Sequence, residues 1–266
     1  MTGARATRIG LVAWTILVVL FLWIPLVIIC VYAFNKSNIQ TWPFPGFSLK
    51  WFRETWDSSE VRNALVLSIK CALGATGVAL VLGSALSFAL TRFRFFGRDF
   101  ISFLFVLPIA LPGIVTGMAL NRFFDEAGLL PSLWTIVIGH ATFCMVIVFN
   151  NVVARLRRTS PSLIEASQDL GADGWQTFRY VTWPTIATAL VAGGLLAFAL
   201  SFDEVIVTFF TAGTNNTLPL LIFGYIRNGL HLPDVNVIVL AVLVLTVIPV
   251  AISVRLTRDT GILKRS

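Results

Sequence analysis

The stretch IGLVAWTILVVLFLWIPLVIICVYAF, residues 9–34, contains no charged side chain over 26 residues. About 20 consecutive apolar residues are enough for a helix to cross the hydrocarbon core of a bilayer. A cleaved secretory signal has a shorter apolar core that is followed by a small-residue cleavage site. Residues 9–34 therefore predict an uncleaved membrane-spanning helix.

Further apolar runs follow along the whole chain. Of its 266 residues, 57% are hydrophobic and only 12% are charged, whereas about 25% of the residues of a soluble domain are charged. We expect an all-α membrane protein with six transmembrane helices in a single domain over residues 1–266, and no room for a large soluble catalytic domain. The predicted spans are approximately 9–34, 63–90, 100–120, 133–154, 185–210 and 235–256.

The distribution of positive charge predicts the orientation of these spans. Lys and Arg collect in the cytoplasmic loops of membrane proteins. If the N-terminus is cytoplasmic, thirteen of the 20 Lys and Arg residues fall in cytoplasmic segments and six in outer segments. Both termini are therefore expected to be cytoplasmic. Because these cations are divided among four short segments, the net charge of +7 does not predict a nucleic-acid partner.

The predicted cytoplasmic loop over residues 155–184 is unusually long, because helix connections in bundles usually have about 2–8 residues. Ser162 and Glu165 fit a capping box that starts a short helix, and Gly171 can end it in a left-handed conformation. Asp173 then predicts the start of a second helix that runs to the end of the loop. Helices this short are marginal alone in water, so we expect the loop to bind a cytoplasmic partner.

The sequence EASQDLGADGWQTFRYVTWP, residues 165–184, resembles the EAA loop of ABC importer permeases. The family pattern is Glu-Ala-Ala, three residues, Gly, nine residues and Ile-x-Leu-Pro. Four residues stand at the family's offsets, namely Glu165, Ala166, Gly171 and Pro184. Three positions differ, namely Ser167, Val181 and Trp183.

This resemblance implies a fold and a set of partners. The fold would be a type I importer permease-like bundle with cytoplasmic coupling helices, in the bacterial inner membrane. The four matching residues would couple the chain to two copies of a cytoplasmic ATPase subunit, which bind ATP and Mg²⁺. A second homologous permease and an extracytoplasmic solute-binding protein would complete the transporter.

No residue pattern in the chain predicts catalysis. A phosphate-binding loop needs a Gly-Lys pair that is followed by Ser or Thr, and none of the lysines follows a glycine. His140 lies in the fourth apolar run, where a lone histidine is more often a packed residue than a catalyst. The cysteines lack metal-ligand spacing. ATP hydrolysis is therefore expected on a separate subunit, and no metal site is expected.

Two acids in the fifth apolar run, Asp203 and Glu204, are candidates for the substrate pathway. Acids within membrane segments are costly and are often functional, and a negative pathway favours a cationic substrate. On a continuous helix these neighbours would point about 100° apart, so both cannot face one pathway. In the third run, Pro108 and Pro112 predict a bend that is either a gate or a static kink.

A narrower resemblance concerns the substrate. Three segments are similar to spermidine/putrescine-type permeases, namely Ser201-Phe202-Asp203-Glu204-Val205, Leu218-Pro219 and Pro233-Asp234-Val235-Asn236. This resemblance implies transport of a polyamine or a related cationic amine. Related permeases for opines, amino acid derivatives and aminophosphonates look much alike, so these solutes remain alternatives.

Two other functional classes are alternatives to an ABC importer permease. An ion-coupled secondary transporter would use Asp203 and Glu204 as proton or cation sites, but would leave the long cytoplasmic loop unexplained. A membrane-embedded enzyme would need convergent catalytic residues, which the sequence does not provide.

Overall fold

Helices account for nearly all the regular structure in the computed structural model, which describes residues 2–259 but not the side chains of residues 2–6, 161 and 246–259. The predicted all-α class is confirmed. Residues 260–266, part of the predicted cytoplasmic C-terminus, lie outside the described residues. The α-helices are α1 (Thr2–Tyr32), α2 (Lys50–Asp57), α3 (Ser59–Arg92), α4 (Arg98–Ala110), α5 (Gly113–Glu126), α6 (Leu133–Arg158), α7 (Pro161–Asp169), α8 (Gly174–Thr177), α9 (Trp183–Phe202), α10 (Ile206–Thr211), α11 (Leu218–Asn228) and α12 (Leu232–Asp259), and a π-helical segment (Phe178–Thr182) joins α8 to α9.

Four helical segments of the described chain are long and apolar enough to cross a membrane. They are α1, α3, α6 and the continuous helix from Gly174 to Phe202. A fifth follows if α4 and α5, which are bent by 106° relative to each other, form one broken span. The apolar part of α12, Leu232–Leu245, is shorter. The count of six spans and the cytoplasmic termini stay predictions.

The chain divides into two compact units, one of residues 1–61 and 224–266 and the other of residues 62–223. The single transmembrane domain predicted over residues 1–266 stays a prediction. In the first unit, α12 packs against α1 and α2. Thr55 Oγ1 on α2 donates a hydrogen bond to Asp234 Oδ1 at 2.7 Å, and His231 Nδ1 lies 2.9 Å from Asp234 Oδ2. Asp234 therefore links α2 to the first turn of α12.

In the second unit, α6 is central and packs extensively against α9. Small side chains let the helices approach closely. A Cβ added at Gly193 of α9 would lie 3.3 Å from Val148 Cα of α6, and one added at Gly83 of α3 would lie 2.8 Å from the carbonyl oxygen of Met145. The buried core of this unit includes Ala79, Phe143, Cys144, Val148, Val152, Ala197 and Val207.

The fifth apolar run is not one continuous helix, so the prediction that Asp203 and Glu204 lie on such a helix is wrong. Helix α9 ends at Phe202 and α10 begins at Ile206. The physical reason is local, because Glu204 Oε1 accepts a hydrogen bond from the backbone N–H of Val207 at 2.9 Å and so satisfies an otherwise free donor of the new helix. A carboxylate at a helix N-terminus is also favoured by the helix dipole. The acids thus occupy a helix break.

Candidate functional site

The start of α7 differs in detail from the prediction. Ser160 Oγ accepts a hydrogen bond from the backbone N–H of Ser162 at 3.3 Å, so Ser160 caps the helix. The predicted capping box of Ser162 and Glu165 is therefore wrong. The helix begins at residue 161, a proline, which is favoured at a first helical position because its missing N–H would have no partner there.

The turn between α7 and α8 forms as predicted. Gly171 has a φ of +83°, a left-handed conformation that favours glycine. Asp173 Oδ1 accepts from the backbone N–H of Gln176 at 2.7 Å, and Gln176 Oε1 accepts from the backbone N–H of Asp173 at 2.9 Å. This reciprocal pair is the capping box that starts α8. We call residues 161–184 the elbow.

The elbow is tied internally and to the helix that follows it. Ser167 Oγ lies 2.9 Å from Thr177 Oγ1, which joins α7 to α8. Ser167 stands where the EAA pattern has alanine, so this departure from the pattern supplies a hydrogen bond. Pro184 is the second residue of α9, and the helix runs from Gly174 to Phe202 without interruption. The second half of the elbow and the fifth apolar run therefore share one helix.

The elbow exposes both charge and large apolar side chains. Glu165 and Ala166 are exposed. Leu170 is 89% exposed and Tyr180 is 75% exposed, and Trp175 is also exposed. Exposed apolar side chains of this size mark sites of interaction with a protein or a membrane. The elbow thus has apolar surface that a partner can cover.

A second feature is a cavity of about 180 Å³ in the unit of residues 62–223, which we call the Glu204 cavity. It brings together Glu204 and Pro108, which the sequence placed in separate runs. Asp203 and Pro112 are exposed, and neither belongs to the cavity wall. The residues that line it are Pro108, Ile109, Leu111, Gly113, Thr116, Phe143, Leu200, Glu204 and Val207.

Another part of the cavity wall comes from the bend between α4 and α5. Helix α4 ends two residues after Pro108, and α5 begins directly after Pro112, so the predicted bend is confirmed. The role of these prolines as a gate stays a prediction. Helix α5 lies close to α10, because a Cβ added at Gly117 would lie 2.6 Å from the Phe210 ring. Asn121 Nδ2 also donates to the carbonyl oxygen of Phe210 at 2.7 Å.

Four polar residues around the Glu204 cavity were not predicted as functional. His140 Nδ1 lies 2.8 Å from Ser201 Oγ, and His140 Nε2 lies 2.8 Å from Thr208 Oγ1. Thr116 Oγ1 is buried without a hydrogen-bond partner in the described part of the chain. No local sequence pattern links His140 to residues 61 and 68 positions further along. Only the packing of α6 against the helix break brings these residues together.

Comparison with known proteins identifies the family. Residues 79–260 match the family described as "Binding-protein-dependent transport system inner membrane component". The chain belongs to this family. The predictions of an inner-membrane permease and of its membership among binding-protein-dependent transporters are confirmed. Membership also implies that the permease works together with other proteins of a transport system.

Two relatives of this permease are similar over nearly their whole length. The putrescine transport system permease protein PotI of Escherichia coli (strain K12) is 33% identical, over 86% of this chain and 85% of that protein. The spermidine/putrescine transport system permease protein PotC of Haemophilus influenzae is 31% identical, over 94% of this chain and 96% of that protein.

A solved structure supports the fold of the permease. A chain in the crystal structure of a bacterial ABC transporter involved in the import of the acidic polysaccharide alginate matches with a TM-score of 0.68. The match covers 96% of this chain and 97% of that chain at 17% sequence identity. The predicted ABC importer permease-like fold is therefore confirmed.

Proposed function

We propose that this permease passes a polyamine such as putrescine or spermidine, or a related cationic amine, into the cell. The observation that carries the proposal is that an acidic residue, Glu204, lines an otherwise mostly apolar cavity. A carboxylate in low dielectric strongly favours a cation beside it. The names of the similar permeases PotI and PotC support the same class of substrate.

The wall of the Glu204 cavity offers a protonated amine complementary groups. Glu204 supplies negative charge, and Phe143 adds an aromatic ring to the lining, a group that can attract a cation. Thr116 Oγ1 has no partner in the described part of the chain and can accept a hydrogen bond from an ammonium group. One oxygen of Glu204 already accepts a hydrogen bond from Val207 N–H, so the carboxylate can bind an amine only weakly. A weak site suits transport because the substrate must leave it.

We assign coupling to the elbow. Glu165, Ala166, Gly171 and Pro184 would place its exposed face against a cytoplasmic ATPase subunit, present in two copies, where ATP and Mg²⁺ bind. A second homologous permease would complete the pathway, and an extracytoplasmic binding protein would deliver the amine. The exposed apolar side chains of the elbow and its continuity with α9 support this assignment.

The experiment compares Glu204→Gln with Asp203→Asn in cells that express the chain with its native transport partners. Radiolabelled putrescine uptake is measured against substrate concentration and normalised to permease in the membrane. Loss of the charge at Glu204 should raise KM about tenfold, the factor that corresponds to about 1.4 kcal/mol. Asp203 is exposed outside the cavity, so we expect a smaller rise for Asp203→Asn. Equal and unchanged KM values in both variants would contradict the proposed pathway.

The same proposal separates the permease from an ion-coupled carrier. Purified chain in proteoliposomes, without partner proteins, should not accumulate putrescine in response to a proton or sodium gradient. Accumulation under those conditions would support the carrier. An excess of 2-aminoethylphosphonate, an alternative solute, should compete poorly with putrescine because its phosphonate is repelled by Glu204.

A further inference from the structure

His140 connects the two sides of the helix break that carries Glu204. Its ring, on α6, is only 1% exposed and contacts Ser201 in the last turn of α9 and Thr208 in α10. We infer that His140 is a positioning residue, which holds this break in the geometry that presents the Glu204 carboxylate to the cavity. The inference rests on the proposed function, because it assigns to His140 an effect on the proposed substrate site.

Ser201, His140, Thr208 and Glu204 form a series of hydrogen bonds, and the number of hydrogens on each group determines which group donates. The Thr208 hydroxyl has one hydrogen, which it donates to the backbone carbonyl oxygen of Glu204 at 2.7 Å. Thr208 Oγ1 must therefore accept from His140, so Nε2 carries the proton. The other ring nitrogen, Nδ1, then accepts from the Ser201 hydroxyl. One neutral tautomer satisfies all three side chains.

The series of hydrogen bonds from His140 through Thr208 ends on Glu204 itself. This distinguishes His140 from a core residue whose hydrogen bonds only stabilise the fold. Glu204 is held at its backbone carbonyl by Thr208 and at its carboxylate by Val207 N–H. Ser201 and Thr208 are both buried, so water cannot readily replace the ring. Without the ring, Ser201 and Thr208 lose their hydrogen bonds to α6, and we expect the backbone at Glu204 to shift and to carry the carboxylate away from Pro108 and Thr116.

One helical turn further along α6, Cys144 provides a matched control. Its side chain is also buried and also contacts α9, with Sγ 3.4 Å from the carbonyl oxygen of Ala197. Cys144 also packs in the core with Val207 of α10. A substitution at Cys144 therefore disturbs the packing of α6 on both sides of the break but removes neither hydrogen bond of the His140 ring.

The test measures radiolabelled putrescine uptake by His140→Phe and Cys144→Ala in cells that contain the native transport partners, with membrane permease quantified. His140→Phe keeps an aromatic ring but removes both nitrogens. It should raise KM about tenfold while Vmax per permease changes by less than about twofold. Cys144→Ala should leave KM close to that of the wild type. A proportional loss of Vmax and of membrane permease, with unchanged KM, would overturn the positioning role.

If His140→Phe does not assemble, substitution of Thr208 tests the same series of hydrogen bonds. Thr208→Val has nearly the same shape but lacks the hydroxyl, whereas Thr208→Ser retains it. We expect Thr208→Val to reproduce the rise in KM and Thr208→Ser to restore a KM near that of the wild type. An unchanged KM in Thr208→Val would overturn the inference.

A double-mutant cycle with Glu204→Gln separates the two proposals. If His140 acts through Glu204, His140→Phe should raise KM little further in the Glu204→Gln background. Multiplicative effects of the two substitutions would overturn the positioning role. If Glu204→Gln raises KM but the His140 and Thr208 variants do not, only the inference about His140 fails. If Glu204→Gln itself leaves uptake unchanged, the proposed pathway fails.

Discussion

Two threonines whose hydroxyl oxygens are buried show how single side chains divide between stability and function. Thr135 Oγ1 lies 2.8 Å from the carbonyl oxygens of Ser132 and Thr211 and accepts from Ser132 N–H at 2.8 Å. Thr116 Oγ1 is buried without any partner in the described part of the chain and lines the Glu204 cavity. The Thr135 hydroxyl is engaged in hydrogen bonds within the fold, whereas the Thr116 hydroxyl remains available to bind a substrate.

We therefore expect opposite outcomes from two identical substitutions. Thr135→Val should lower the free energy of unfolding by about 1–3 kcal/mol, because it leaves buried polar groups unpaired. Thr116→Val should have little effect on that free energy, because it removes a hydroxyl that has no partner, but it should raise KM for putrescine. Thermal stability of the detergent-purified protein and uptake in cells measure the two effects. Equal destabilisation by both substitutions would contradict this assignment.

The caps at helix N-termini were predictable from the sequence only where no neighbouring side chain could cap the same helix. Asp173 and Gln176 form the predicted capping box because each offers a group that the other needs three residues away. At the start of α7 two serines compete, and Ser160 caps the helix instead of Ser162. His140 carried no local signal, because its partners are distant in sequence.

Between helices, close approach depends on glycines whose partners the sequence does not reveal. Gly77 and Gly83 both lie in α3, but an added Cβ would meet nothing within 4 Å at Gly77 and would lie 2.8 Å from a backbone carbonyl oxygen at Gly83. The apolar runs themselves were predictable because hydropathy is a local property. The break at Asp203 and Glu204 was not, because an acid inside an apolar run does not reveal whether it faces out of a helix or caps a new one.

Substitution of these two glycines tests the packing of α3 against α6. Gly83→Ala should lower the free energy of unfolding by about 1–3 kcal/mol, because a backbone atom cannot yield as a flexible side chain can. Gly77→Ala should be neutral or slightly stabilising, since alanine favours the helix. Melting of the detergent-purified protein measures both. Equal melting temperatures in the two variants would show that α3 and α6 do not approach as described.

For the unit of residues 62–223 as a whole, the elbow and the Glu204 cavity lie at opposite ends of one helix. Helix α9 has 20 residues, so it is about 30 Å long at 1.5 Å per residue. Pro184 lies at its first turn, and Ser201, which contacts His140, lies at its last. A partner that displaced the elbow would therefore move the residue that contacts His140 at the helix break. This connection offers the proposed coupling a physical route from the elbow to the proposed substrate site.

The substitution Glu165→Arg tests that route from its cytoplasmic end. Glu165 is exposed on α7, so reversal of its charge should leave membrane insertion normal while it weakens binding to the ATPase subunit. We expect putrescine uptake to fall at least about tenfold, with ATP hydrolysis no longer dependent on substrate. Asp125→Arg is the matched control, because it makes the same charge change at an exposed acid on α5, outside the elbow. Uptake and vanadate-sensitive ATP hydrolysis, both normalised to assembled complex, distinguish uncoupling from loss of protein. Normal uptake by Glu165→Arg, or an equal loss in Asp125→Arg, would mean that α9 does not carry the force of ATP hydrolysis to Glu204.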